Sequence, residues 1–205
     1  MVVVDIHAHC VQTEVIGLLG GKYCPVLRQL HILSAEPCRS IPGSTTDLQC
    51  EMDPVSQAEA SDKIRQTGNC VVGWYHSHPT FVPNPSLRDL ETQANFQEMF
   101  RDGNLPFIAL ILSPYSGSCN LQQKKTLVSK FKCLMVSDEV SPTGEYRVPY
   151  EFDPLIVRRE KLLTSILSRT IDLCSYLSGK KSSHCMTDRI RGRDISLVSK
   201  VSGLM

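Results

Sequence analysis

Val71-Val72-Gly73-Trp74-Tyr75-His76-Ser77-His78-Pro79, carried on through Pro83-Asn84-Pro85-Ser86-Leu87-Arg88-Asp89, is the passage on which the fold turns. Its first five residues are an apolar and aromatic run of strand length, and the pattern reads as a strand at least partly buried. Side chains two apart on a strand share a face, so His76 and His78 point to one place at its end. Pro79 stops regular pairing, and each later proline pushes the residue before it away from helical geometry. A helix then starts. Ser86 is a favourable N-cap, Leu87, Leu90 and Ala94 recur on one face, and Asp89 stands three residues past the cap. A strand that hands its last side chains to the first turn of a helix is the local grammar of an α/β domain.

The chemistry of those side chains is specific. Two imidazoles and a carboxylate are the three protein ligands that a catalytic zinc ion takes, its fourth position being left for water. Hydrolysis is therefore the leading reaction class. The second half of the pattern has a plainer reading as well, because Ser-x-x-Asp before an apolar run is also a helix capping box. His-x-His, seven residues and Ser-x-x-Asp together are a longer pattern than capping needs.

At this length the pattern resembles a known one. Tyr75-His76-Ser77-His78-Pro79 through Ser86-Leu87-Arg88-Asp89 is similar to the JAMM motif of the MPN-domain metalloproteases, which remove ubiquitin or ubiquitin-like proteins from lysine side chains. Glu14-Val15-Ile16-Gly17-Leu18-Leu19-Gly20-Gly21 resembles the segment in which that family presents an upstream glutamate. Trp74 to Gln97, Cys50-Glu51-Met52-Asp53-Pro54-Val55-Ser56-Gln57 and Ser141-Pro142-x-Gly144-x-Tyr146-Arg147 look most like the branch that joins Myb-like and SWIRM modules to an MPN domain and deubiquitinates histone 2A. The likeness spans residues 4 to 155.

The resemblance implies an MPN fold, a central mixed β-sheet flanked by α-helices. It implies that His76, His78 and Asp89 hold one Zn2+ with water as the fourth ligand, that Glu14 serves as base and then acid, and that Ser86 donates to the oxyanion. Its implied partners are ubiquitin and a ubiquitylated protein, with nucleosomal histone 2A as a candidate, and its implied location is the nucleus. Read without the resemblance, Glu14 is an ordinary surface glutamate near a helix end. Its neighbours favour more, since Val15-Ile16-Gly17-Leu18-Leu19 reads as a buried strand closed by Gly20-Gly21 and places Glu14 at the strand's mouth.

A second His-x-His, His7-Ala8-His9, precedes Cys10. Asp5 to Thr13 reads as helix, where residues two apart diverge by about 200°, so these histidines are expected to be solvated helix residues. His31 and His184 have no companion ligands in the sequence. The nine cysteines lack any Cys-x-x-Cys pair, and an odd, scattered set suits reduced thiols packed as small hydrophobes. None has the context of a cysteine-protease nucleophile.

The 205 residues are enough for one domain with a real core, and 41% hydrophobic with 21% charged residues is a globular composition. No apolar run reaches about eighteen residues, the length a membrane span needs, and Met1-Val2-Val3-Val4 is too short for a signal-peptide apolar region. Downstream of the first helix and strand, Val26 to Leu33 alternates as a partner strand, and Pro37 to Gln49 reads as a loop centred on Ile41-Pro42-Gly43-Ser44-Thr45-Thr46. Asp53 caps a helix with Pro54 first, and Gly68 closes it. Phe107 to Leu112 and Phe131 to Val136 read as strands, with residues 116 to 126 polar and aperiodic between them. In the family an insertion at such a place contacts substrate; a surface hairpin is the simpler account.

Leu155 to Leu177 is the longest helical pattern, its stripe of Leu155, Ile156, Leu162, Leu163, Ile166, Leu167, Ile171 and Cys174 suited to pack on the domain or on a partner helix. The resemblance, which ends where this pattern begins, implies an MPN catalytic domain over 1–155, followed by a C-terminal helix with a basic tail over 156–205. From Gly179 the net charge is +4, against +1 for the whole chain. Without interleaved aromatics, a solvated tail is expected rather than direct nucleic-acid contact.

Members of the family begin with a strand before the first helix, whereas this sequence starts almost at the helix; if that strand is missing, an unpaired sheet edge results. The main alternative to a zinc isopeptidase is a catalytically silent MPN scaffold, disfavoured because silent relatives lack motif positions. A zinc nucleobase deaminase would need His-x-Glu with Pro-Cys-x-x-Cys. Glu36-Pro37-Cys38-Arg39-Ser40 fails that pattern, and no His-x-Glu occurs.

Overall fold

The computed structural model describes residues 1–41, 50–79, 81–101, 105–115, 129–157, 163–178 and 196. Residues 42–49 of the loop expected over Pro37 to Gln49, the polar segment 116–126, Leu162 and all of the basic tail except Ser196 lie outside these; Pro37 and Cys38 end a strand instead of opening that loop.

Among the described residues ten elements run α1 (Val2–Cys10), β1 (Ile16–Cys24), β2 (Gln29–Cys38), α2 (Pro54–Gln66), β3 (Cys70–Ser77), α3 (Leu87–Met99), β4 (Ile108–Ser113), β5 (Lys130–Val140), β6 (Arg147–Phe152) and α4 (Leu163–Ser178). The strands form one six-stranded sheet in the order β2-β1-β3-β4-β5-β6. Only β3 and β4 pair in parallel, because α3 supplies the crossover that a parallel pair requires. The sheet is mixed and carries helices on both faces, which is the α/β architecture expected.

Two cores sandwich the sheet. On one face Val4, Ile6 and Ala8 of α1 and Leu173 and Leu177 of α4 pack with Leu19, Tyr75, Leu110 and Leu112. On the other, Ala60 and Ile64 of α2 and Leu90 and Phe96 of α3 pack with Leu18, Trp74, Ala109 and Ile111. The alternation of Leu110 and Leu112 against Ala109 and Ile111 is the two-residue period of a central strand, buried on both faces. Two glycines permit the strands to approach. A Cβ at Gly17 would lie 2.5 Å from the Tyr75 ring, and one at Gly73 would lie 2.5 Å from the Ile108 carbonyl.

Several expectations are corrected. β1 does not stop at Gly20-Gly21 but runs through them to Cys24, because β2 continues to pair with it past a bulge. β2 starts at Gln29 rather than Val26, since residues 25–28 make the turn of the hairpin and Arg28 takes a positive φ of 51° there. Leu87 is exposed; Leu90, Gln93 and Phe96 form the buried face of α3. β6 went unread because Pro149 breaks the strand pattern, yet an edge strand tolerates proline. Leu155, Ile156 and Val157 are exposed and non-helical, and the helix is described only from Leu163. Hydrophobic spacing alone carries the helical pattern through them, and they remain exposed because, among the described residues, no element packs on that stretch as a helix face.

Candidate active site

β3 lies in the middle of the sheet, paired on one side with β1 (His76 opposite Ile16) and on the other with β4 (His76 beside Ile111). Such a strand has no slack. The parallel ladder extends one residue beyond it, His78 donating its backbone N–H to the Leu112 carbonyl at 2.8 Å. His76 and His78 therefore remain on one face although His78 is already outside the strand, and they are 3% and 2% exposed.

Asp89 reaches them from α3. Ser86 caps that helix, its Oγ accepting from the Asp89 N–H at 3.2 Å while the Asp89 carboxylate accepts from the Ser86 N–H at 2.7 Å. The capping box is real, and it aims the same carboxylate at the imidazoles. Asp89 Oδ1 lies 3.1 Å from His76 Nε2, Asp89 Oδ2 lies 3.6 Å from His78 Nε2, and the two imidazole nitrogens are 3.0 Å apart. Ligand atoms at about 2.0–2.1 Å from a tetrahedral zinc stand roughly 3.3 Å from one another. The three separations bracket that value, so the donor set fits a zinc ion. His76, His78 and Asp89 form the only such group among the described residues.

The electrostatics agree with a cation site. Burial alone would raise the Asp89 carboxyl, but hydrogen bonds with His76 and His78 prevail and hold it well below the usual carboxylate range. Burial lowers His76 against the opposing pull of Asp89, keeping its ring neutral, the form that ligates metal.

Glu14 is brought alongside by Ser77, the residue between the histidines. Ser77 accepts the Val15 N–H on its Oγ and donates its own N–H to the Val15 carbonyl, both at 3.0 Å. Glu14 is 6% exposed, which rules out the plain surface reading. Desolvation raises its carboxyl to about 7, with His78 and Arg88 opposing and Asp89 reinforcing the shift. A cavity of about 590 Å³ opens from Glu14 past Val15 toward Arg39, Ser40 and Cys50, but it does not include the side chains of His76, His78 and Asp89.

Sequence reasoning missed several residues that hold this site. Ser77 carries no signal of its own in the sequence beyond its place between the two histidines. Glu51 forms an ion pair with Arg88 and ties the 50–53 segment to the start of α3, while Ile41 donates its N–H to the Glu51 carbonyl and Asp53 donates its N–H to the Arg39 carbonyl, joining that segment to residues 39–41. Trp74 stacks on His76, and Gln93 receives the Trp74 N–H at 2.8 Å. A period of two from His76 back to Trp74 was the only available sequence signal.

His7 and His9 are corrected outright. They are 4% and 0% exposed rather than solvated. His7 Nδ1 lies 2.9 Å from the Tyr75 hydroxyl, and His9 Nδ1 lies 2.6 Å from the Asp5 carbonyl. They point to different partners and do not join a metal-binding group among the described residues. The cysteines described are free, and Cys10 and Cys174 meet at 3.7 Å between α1 and α4.

Residues 1–102 match the family described as JAB1/Mov34/MPN/PAD-1 ubiquitin protease. The chain is 44% identical to "Deubiquitinase MYSM1" of Mus musculus, over 96% of its own length and 23% of that protein. It is 42% identical to the histone 2A deubiquitinase MYSM1 of Xenopus laevis, over 93% of its length and 22% of that protein. An "MPN domain-containing protein" of Mus musculus is 31% identical over 85% of the chain and 35% of its own length. The chain thus spans less than a quarter of the first two relatives. With a mixed sheet clothed by helices, a His-x-His at the end of a middle strand and Ser and Asp at the start of the helix that follows, the chain belongs to the JAB/MPN family.

Proposed function

We propose that this domain is a zinc-dependent isopeptidase, a deubiquitinase that hydrolyses the bond between the ubiquitin C-terminus and a substrate lysine. The observation that carries the reading is the conjunction of a zinc-compatible donor triad with a buried carboxylate, Glu14, pinned beside it by Ser77. A silent scaffold has no need of that buried carboxylate.

His76 Nε2, His78 Nε2 and one Asp89 oxygen would hold the ion. Zinc held there lowers the pKa of water to about 7 and polarises a carbonyl oxygen. Glu14 accepts the proton of the attacking water, and its raised pKa suits it to give that proton back near neutrality. The recipient is the departing lysine nitrogen, since an amine leaves as a neutral molecule only after protonation. Ser86 Oγ donates to Asp89 Oδ2 at 2.8 Å; when Asp89 serves as a ligand, that hydroxyl proton is available to the oxyanion of the tetrahedral intermediate.

The histone 2A reading of the substrate, and with it chromatin as the place of action, rests on the relatives' names. No helix among the described residues is long and apolar enough to cross a membrane. The test is incubation of zinc-loaded protein with ubiquitylated nucleosomes and with ubiquitin chains, with a chelator control. Release of ubiquitin that the chelator stops is the expected result. Failure on both substrates with zinc bound would favour the scaffold.

A further inference from the structure

The two histidines of the donor triad are held by different devices. His78 has the usual one: its far nitrogen, Nδ1, lies 3.1 Å from the Val82 carbonyl. That fixes ring and tautomer, as outer hydrogen bonds generally do for metal-binding histidines. His76 lacks it. Its Nδ1 is buried and has no hydrogen-bond partner in the described structure. What faces the His76 ring instead is the indole of Trp74, 4.7 Å away between centroids and 12° from parallel.

The indole is itself held from α3. Trp74 Nε1 donates to Gln93 Oε1 at 2.8 Å, while Gln93 Nε2 donates to the Phe107 carbonyl at 2.8 Å and to Gln97 Oε1 at 2.7 Å. Gln97 completes the chain with two hydrogen bonds to the Val136 backbone. Gln93 is wholly buried. It stands one helical turn beyond Asp89, so both side chains leave α3 on the same side. One amide therefore links the strand that carries His76 and leads into His78, the helix that carries Asp89, and the backbone entering β4.

We infer that Gln93 is a positioning residue for the metal site: through Trp74 it sets the plane of the His76 ring, and from α3 it sets how far Asp89 stands from that ring. The inference rests on the reading of His76, His78 and Asp89 as a zinc site. A buried amide that loses its partners leaves donor and acceptor unsatisfied, so the helix shifts to find others. A shift of either element moves a ligand.

The test uses the whole chain stripped of metal and titrated with Co2+, read by its visible absorption, with zinc affinity measured by competition against a chromophoric chelator. Gln93→Met and Trp74→Leu weaken zinc binding by roughly 10- to 100-fold, the usual loss for an outer-shell partner, and alter the cobalt bands. Trp74→Phe keeps a ring face toward His76 while losing the N–H, and falls between wild type and Trp74→Leu. Phe100→Leu is the structural control, because Phe100 stacks on Phe107 at the far end of α3. It lowers the melting temperature and leaves zinc affinity and spectrum unchanged.

If Gln93→Met does not fold, the ordering of Trp74→Phe against Trp74→Leu carries the test, since both lose the N–H and only one loses the ring. Zinc affinity within about twofold of wild type in Gln93→Met or Trp74→Leu, with an unaltered spectrum, overturns the inference, the expected loss being far larger. So does an equal change in Phe100→Leu. A wild-type chain that takes up neither metal overturns the zinc reading and this inference with it. Altered cobalt spectra in the variants of a chain that cleaves no isopeptide bond uphold the inference and overturn the proposed activity alone.

Discussion

His7-Ala8-His9 and His76-Ser77-His78 are the same short pattern in two settings, and every one of the four rings is buried. On α1 the rings diverge, one reaching Tyr75 and the other folding back to Asp5. At the end of β3 they converge, with Nε2 atoms 3.0 Å apart and a carboxylate between them. The difference is the backbone period, about 100° per residue in a helix and 180° in a strand. Burial does not distinguish the pair that meets a carboxylate; direction does.

The largest effect should come from breaking the convergent pair. His78→Ala is expected to lose stoichiometric zinc and with it all cleavage, while His9→Phe keeps one zinc per chain; metal analysis after dialysis decides. Zinc loss in His9→Phe would mean that the helical pair is not merely structural.

Next comes the carboxylate beside the strand pair. Glu14→Gln should keep its zinc and lose roughly 100- to 10,000-fold in turnover, the span for removal of a general acid–base. Near-normal cleavage by that variant would take Glu14 out of the mechanism.

A third prediction concerns pH in the metal-free protein. Desolvation raises Glu14 from 4.5 to about 7, so the folded state binds its proton more tightly than the unfolded chain. The stabilisation, on the order of 2–3 kcal/mol, is complete below the unfolded pKa and disappears as pH rises through about 7. Asp89 acts in the opposite sense, its depressed carboxyl stabilising the fold above the unfolded carboxylate pKa and losing that contribution as the solution is acidified. Denaturant melts at pH 5 and 8 should therefore show Glu14→Gln removing stability loss on the alkaline side; an unchanged pH profile would contradict the burial argument.

The smallest effect lies on the helix. His7→Phe leaves the Tyr75 hydroxyl without its imidazole and should cost about 1–3 kcal/mol, measured by thermal or chemical melting, with zinc content unchanged.

Much of this site was legible because it is local. Two residues of a strand and the first turn of the next helix are fixed by short-range rules, so His76, His78, Ser86 and Asp89 could be related by spacing before any fold was known. Glu14 was less legible: the sequence placed it at a strand mouth, but its nearness to the pair depends on the Ser77–Val15 clamp across 62 positions. The exposed Leu155 and Ile156 show the converse, a hydrophobic spacing that the chain does not use as helix.

The amino-acid sequence by itself determined the donor types, their order and their coming together at a strand-to-helix junction, since each depends on backbone periods of a few residues. Only the tertiary structure decided that His7 and His9 are buried as well, how Glu14 came to be desolvated beside the convergent pair, and that Trp74 and Gln93 would brace it. Those outcomes depend on pairing between β1 and β3 and on α3 packing over the sheet, contacts whose partners lie far apart along the chain and are fixed only when the two cores close.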